Sequence, residues 1–207
     1  MRTGSVSTLL VSALLTSGLA LQAAGPVPRP SKEFTIILPS GKQSLLSSYR
    51  GKVVMAAFMF TTCPHCQALS KVITKLQGEL GPRGFQAVGV AFNDEVNTPN
   101  NAANAQVTAS FVNQFQVGFP MGSAPRNSVL SFLGVSDIES WVVPQVAIID
   151  RKGVIRAQSE ARGSANLQTE GYLRTYLGGL LSEGAPAKSA APSKAPVKKK
   201  AVDKKTS

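Results

Sequence analysis

Two patterns of apolar residues alternate along the chain: short unbroken runs, and stretches in which apolar positions recur every three or four residues. The run VVMAAFMF (53–60) has no polar member and is bounded by Gly51 and a cysteine motif, which suits a strand buried on both faces. FQAVGVAF (85–92) repeats the pattern. Between them Leu69, Val72, Ile73, Leu76 and Leu80 share one helical face, so the spacing predicts a helix from Cys66 to about Gly81. Strand, helix and strand in this order imply a right-handed parallel crossover. FTIIL (34–38) is a shorter strand candidate. Val107, Phe111 and Phe115 lie one helical turn apart and mark a second helix, and Asn127 to Leu133 suits a third. VVPQVAIID (142–150) and VIRAQ (154–158) flank the RKG turn and read as an antiparallel hairpin. Leu173, Tyr176, Leu177, Leu180 and Leu181 mark a last amphipathic helix. The expected architecture is α/β: a central mixed sheet in a three-layer fold, with helices on both faces.

Composition bounds this picture without altering it. With 43% hydrophobic residues, 16% charged and a mean hydropathy of +0.05, the 207 residues fit a soluble chain with one well-filled core. The ends depart from that average. Arg2, an apolar run from Leu9 to Leu21 and small residues at Ala20, Ala23 and Ala24 have the layout of a secretory signal peptide over residues 1–24. The run is shorter than the roughly 18–20 apolar residues that span a bilayer. No cysteine lies near the cleavage region to carry a lipid anchor. The chain is thus expected to be exported to the periplasm or another extracytoplasmic space, membrane-tethered only where the segment stays uncleaved. A linker is expected over 25–33 and the folded domain over 34–181.

Residues 182–207 are almost all Ala, Pro, Lys and Ser, too poor in apolar bulk to offset ordering entropy, and read as a disordered basic tail. Seven lysines there, against Glu183 and Asp203, hold nearly half of the formal charge of +11. The remaining balance is mildly basic and does not indicate nucleic-acid binding. The tail reads first as a solubilising appendage, with contact to an anionic lipid, cell-wall polymer or acidic partner as the alternative.

The chemistry concentrates in FTTCPHCQ (60–67), which holds both cysteines and the only histidine. Strand, motif, helix places Cys63 at a helix N-terminus, where unpaired N–H groups and the helix dipole favour a negative charge. The thiolate is the attacking species. Pro64 falls in the first turn, where its missing N–H costs nothing. Cys66 lies about one turn further in, less exposed and close enough to close a disulfide, so Cys63 is expected to attack and Cys66 to resolve. His65 can give the Cys63 thiolate a hydrogen bond or positive charge. Other readings can be weighed on the same residues. Zinc normally takes four ligands, and without further Cys or His only carboxylates or a second chain could complete a site. Covalent haem attachment needs His directly after the second cysteine, where Gln67 stands. A structural disulfide stays open in an exported chain, although so short a loop restrains little unfolded-chain entropy. No metal or cofactor is called for.

In order and spacing, LLSSYRGKVVMAAFMFTTCPHC, FQAVGVAF, VGFPMG and VVPQVAIIDRKGVIRAQ resemble the thioredoxin superfamily over roughly Phe34 to Leu181. Within it the chain is most similar to exported TlpA/ResA-like thiol-disulfide oxidoreductases, grouped with redoxin or AhpC/TSA domains. The resemblance implies a thioredoxin-like fold and disulfide exchange through a mixed disulfide of Cys63 with protein substrates. It also implies a redox partner protein and a monomer. Pro144 matches the family's cis-proline, and the backbone of Val143 before it would pair with an extended substrate segment. The Pro-His pair between the cysteines resembles DsbA-class oxidants, whereas the flanking chain resembles the reductant class. Two family acids that assist the resolving cysteine are replaced by Ala57 and Leu69; Glu79 and Asp94 are the candidate substitutes. Residues 93–106 resemble a variable insertion. A peroxiredoxin-type peroxidase would carry Thr or Ser three residues before the attacking cysteine, and Phe60 stands there. A non-enzymatic metallochaperone of the Sco type would carry Cys-x-x-x-Cys and a distant His, and the chain has neither.

Overall fold

The computed structural model describes residues 25–93, 102–136 and 138–183. Strand β1 (Arg29–Pro30) is followed by the hairpin strands β2 (Thr35–Ile37) and β3 (Gln43–Leu45), a 3₁₀ turn (Leu46–Tyr49) and strand β4 (Val53–Met59). Helix α1 (Pro64–Leu80), strand β5 (Phe85–Ala91), helix α2 (Ala102–Phe115), strand β6 (Met121–Ser123) and helix α3 (Arg126–Leu133) come next. Strands β7 (Gln145–Ile149) and β8 (Val154–Gln158) and helix α4 (Glu170–Ser182) complete the described chain.

All eight strands form one sheet in the order β1-β8-β7-β4-β5-β6-β2-β3. Pairs β4–β5 and β5–β6 are parallel; β7 and β8 pair antiparallel with each other, and β7 antiparallel with β4. The expected crossover, hairpin and mixed sheet are therefore present. Alternation along β4 explains its unbroken apolar run. Val53, Met55, Ala57 and Met59 face a core shared with Cys66, Leu69 and Ile73 of α1, Phe111 of α2 and Leu173 and Leu177 of α4. Val54, Ala56 and Phe58 face the opposite core, closed by Val129 and Phe132 of α3. On that second side the rings of Phe34, Phe58 and Phe132 meet at centroid distances of 5.2–5.6 Å, a favourable tilted and edge-on arrangement. Period-2 burial on both faces, with helices over each, is the three-layer fold.

Several elements differ from the sequence expectation. The stretch 25–33, expected as a linker, carries β1, which pairs Arg29 with Ile155 and Pro30 with Val154. The Arg29 guanidinium also caps the end of α3, donating to the Phe132 and Leu133 carbonyls at 3.2 and 3.5 Å and contacting Gln158 Oε1. Strand β6 was not expected; its Gly122 lets β2 approach, because a Cβ there would lie 2.5 Å from the Ile37 carbonyl oxygen. Strand β7 begins at Gln145 rather than Val142, since the Val142 N–H is drawn to the Ala161 carbonyl at 2.9 Å and Pro144 has no N–H to offer. Helix α1 starts at Pro64, two residues before the periodic run, and α2 starts at Ala102, inside the stretch read as an insertion. The signal segment 1–24, Asp94 and nearly all of the basic tail lie outside the described residues. No helix among the described residues is long and apolar enough to cross a membrane.

Candidate active site

The chain leaves β4 at Met59 and turns directly into α1. Asn93, just past the end of β5, holds this turn: its Oδ1 accepts the Thr61 N–H at 2.8 Å and the Thr61 hydroxyl at 3.3 Å. Gln67, one turn into α1, reaches back to donate Nε2 to the Thr61 carbonyl at 3.1 Å. The Cys63 N–H donates to the Phe60 carbonyl at 3.2 Å, and the Gln67 N–H to the Cys63 carbonyl at 3.0 Å. Cys63 is thereby the N-cap of α1, with extended backbone (φ −79°, ψ 121°) and Pro64 behind it in the first turn. Its side chain makes no capping hydrogen bond, so the sulfur stands at the positive end of the helix dipole.

The two cysteines are chemically unequal. Cys63 is half-buried, and its Sγ lies 3.9 Å from the Val143 carbonyl oxygen. Cys66 is fully buried in the core between the sheet and α1. Burial pushes the Cys66 thiol far above its ordinary range, and a hydrogen bond with the Cys63 side chain raises it further. Backbone hydrogen bonds from Phe60 and Cys66 itself act in the opposite sense and do not reverse the outcome. Cys66 is therefore a protonated thiol.

The loop before β7 supplies the other wall. Pro144 is buried, and the Val143–Pro144 peptide is cis. Val143 is half-buried and packs against both cores, and its carbonyl is the group facing Cys63. His65 sits exposed in the first turn of α1, and its imidazole makes no side-chain hydrogen bond to another described residue. Of the residues singled out from sequence, Cys63 meets Cys66 and the Val143 carbonyl, Pro144 follows Val143 as a buried residue, Pro64 shapes the helix start, and His65 faces solvent.

Ala57 and Leu69 both lie in the core that holds Cys66, so no carboxylate occupies either place. Glu79 does not substitute. It is 13 residues along α1 from Cys66, about 20 Å away, and pairs with Arg174 at 3.0 Å on an exposed surface. Phe60 directs its ring into a cluster with Phe92 and Trp141, at centroid distances of 4.9 and 6.1 Å. The Arg126 guanidinium lies 4.7 Å from the Trp141 ring centroid. Among the described residues no three His, Cys, Asp or Glu side chains gather as metal ligands would.

Three features escaped the sequence reading. Asn93 and Gln67 brace the cysteine turn. A cleft of about 390 Å³ opens beside it, between Thr61, Thr62 and Gln67 and the face of α2 bearing Gln106, Ser110 and Gln114. Gln145, the one polar residue of β7, is fully buried and donates to three carbonyls of the surrounding loops. A glutamine in an otherwise apolar strand was visible in the sequence as a signal.

The AhpC/TSA family matches residues 27–158. No curated protein matches the chain. Solved structures do. A protein disulfide isomerase candidate from Bacteroides thetaiotaomicron has a TM-score of 0.59 at 24% identity, covering 78% of this chain and 96% of that one. A thioredoxin-family thiol:disulfide interchange protein from Chlorobium tepidum has a TM-score of 0.55 at 22% identity, covering 74% and 99%. The thioredoxin domain of a thiol-disulfide oxidoreductase from Bacteroides vulgatus has a TM-score of 0.56 at 16% identity, covering 72% and 96%. The fold is thus thioredoxin-like.

Proposed function

The chain belongs to the AhpC/TSA family, and on that premise we propose that it is an exported thiol-disulfide oxidoreductase acting on protein substrates through Cys63 and Cys66. One observation carries the reading: a half-exposed cysteine at the N-cap of α1 faces the Val143 carbonyl, with a second, buried cysteine one turn behind it. This asymmetry suits a two-step exchange. The Cys63 thiolate attacks one sulfur of a substrate disulfide, forming a mixed disulfide and expelling the other sulfur as a thiolate that takes a proton from solvent. Cys66 then loses its proton and attacks Cys63 Sγ. The Cys63–Cys66 disulfide forms, the substrate's second thiolate leaves, and two electrons have passed to the substrate. Run backwards, the same steps oxidise a substrate dithiol, and the partner protein sets the direction.

Burial keeps Cys66 protonated while Cys63 attacks, which separates the nucleophile from the resolving thiol. The backbone of Val143 is positioned to pair with an extended substrate segment. Residues 1–24 act as the export signal, and the 182–207 tail as a basic contact to an anionic surface.

Two variants test the reading. Cys63→Ser abolishes insulin-disulfide reduction, and Cys66→Ser accumulates a substrate mixed disulfide seen by non-reducing electrophoresis and mass spectrometry. Full insulin reduction by Cys63→Ser would sink the proposal. Peroxide consumption by the reduced protein at a rate exceeding its disulfide exchange would replace it with a thiol peroxidase.

A further inference from the structure

Gln145 is an expensive residue for its place. It occupies a fully buried position opposite Phe58 of β4, in a strand whose other members are apolar. Its Oε1 is buried without a partner among the described residues, a state that disfavours folding. An apolar side chain would pack there without that cost, so the amide nitrogen is the group to explain.

Gln145 Nε2 donates to the Val142 carbonyl at 2.7 Å, the Glu160 carbonyl at 3.1 Å and the Ala161 carbonyl at 3.1 Å. Two amide hydrogens serve three acceptors. The flipped amide would set an oxygen against all three carbonyls, so the orientation is fixed. The bond to Val142 has a geometric consequence one peptide further on. In a planar trans peptide the C=O and the following N–H point in opposite directions. Drawing the Val142 carbonyl inward onto Gln145 therefore turns the Val143 N–H outward. That N–H makes no hydrogen bond among the described residues, while the Val143 carbonyl faces Cys63 Sγ. The Val143 N–H is thus left for an incoming strand, and the Val143 carbonyl lies beside the attacking sulfur.

We infer that Gln145 is a positioning residue for substrate: through the Val142 carbonyl it holds the Val143 peptide edge ready to pair with the backbone of an extended protein substrate. The inference rests on the disulfide-exchange reading above. It separates substrates by type. A protein disulfide embedded in extended chain uses the Val143 edge; a small aromatic disulfide has no backbone and does not.

The test compares the wild type, Gln145→Met, which keeps length and removes the donors, and Gln145→Thr, which suits a strand if the methionine variant folds poorly. Single-turnover oxidation of each reduced protein is followed by Trp141 fluorescence, with insulin and with 5,5′-dithiobis(2-nitrobenzoate). One pairing hydrogen bond corresponds to roughly 2- to 10-fold in affinity. The expected result is a half-saturating insulin concentration higher by that factor, a limiting rate within about twofold, and a rate with the small disulfide within about twofold. Equal losses with both substrates would make Gln145 merely structural, and no change with either would deny it a role. A wild type that exchanges with neither substrate would overturn the disulfide-exchange reading itself, and this inference with it.

Discussion

Raising the pH above about 8.5 ionises a cysteine thiol in the unfolded chain but not Cys66 in the folded, reduced protein. Cys66 has no solvent exposure, and its thiol is held above the ordinary range first by burial and then by the Cys63 side chain. A group whose folded value is raised contributes stability that is complete below its unfolded value. That stability is lost as pH climbs toward the folded value. The loss begins near pH 8.5 and, for one proton, proceeds at about 1.4 kcal/mol per pH unit. By pH 9.5 the reduced protein should have lost about 1.4 kcal/mol through this group, or about 3–5 °C in Tm for a domain of this size. Lysines and tyrosines titrate nearby, so the comparison is with Cys66→Ala, in which they titrate alike. Denaturant midpoints of both reduced proteins are measured from pH 7 to 9.5 under a phosphine reductant. The cavity left by the substitution lowers the variant equally at every pH. The stability gap between the two should therefore shrink by about 1.4 kcal/mol between pH 7.5 and 9.5. A gap constant with pH would refute the burial argument.

Brief iodoacetamide treatment of the native reduced protein should label Cys63 and spare Cys66 until denaturant is added, as peptide mass spectrometry reads directly; equal native labelling contradicts the asymmetry. Asn93→Ala strips the acceptor from the N–H of Thr61, a residue only 8% exposed, and should destabilise by about 1–3 kcal/mol in chemical denaturation. A loss below about 0.5 kcal/mol would mean that water replaces the asparagine. Gly122→Ala forces a Cβ to within 2.5 Å of the Ile37 carbonyl oxygen and should cost about 1–3 kcal/mol by parting β6 from β2, with neutral stability as the refuting result. Glu79→Gln should leave the rate at which Cys66 resolves a mixed disulfide unchanged, because its carboxylate is engaged with Arg174 on the surface; a tenfold slowing would return it to the proton path.

What was legible in the sequence was what local pattern records. Burial on both faces leaves β4 and β5 as unbroken apolar runs, and single-face burial leaves the three- and four-residue spacing of α1 and α4. The cysteine motif reads from spacing alone because cap, proline and second cysteine fall within one helical turn. Elements defined by distant partners did not read. Strand β6 is three residues, Met121, Gly122 and Ser123, with no pattern to show; it exists because β5 and β2 flank it. Strand β1 sits in a proline-rich stretch resembling a linker, and its pairing depends on β8, more than 120 residues away. The bracing of Thr61 by Asn93 spans 32 residues, beyond a pattern window, and that of the loops by Gln145 depends on where the chain returns after the β7–β8 hairpin, which local pattern does not record.

Alternation along β4 bears on the chemistry as well as the packing. Its odd-numbered positions face the core that contains Cys66, so position 57 is one from which an acid could reach the buried thiol, and Ala57 stands there. Leu69, one helical turn after Cys66, closes the second approach, and Glu79 lies at the far end of the helix. The polar contacts left to the Cys66 thiol are Cys63 and backbone, within an apolar core. Hydrogen bonds from Phe60 and from Cys66 itself favour the thiolate, while burial opposes it more strongly. In the proposed exchange, forming the mixed disulfide removes Cys63 as a hydrogen-bonding and charged neighbour, and both of its contributions had held the Cys66 proton in place. Attack by the first cysteine thus eases deprotonation of the second. In that proposed exchange the order of the two steps follows from one turn of helix, with no carboxylate at position 57 or 69 to assist.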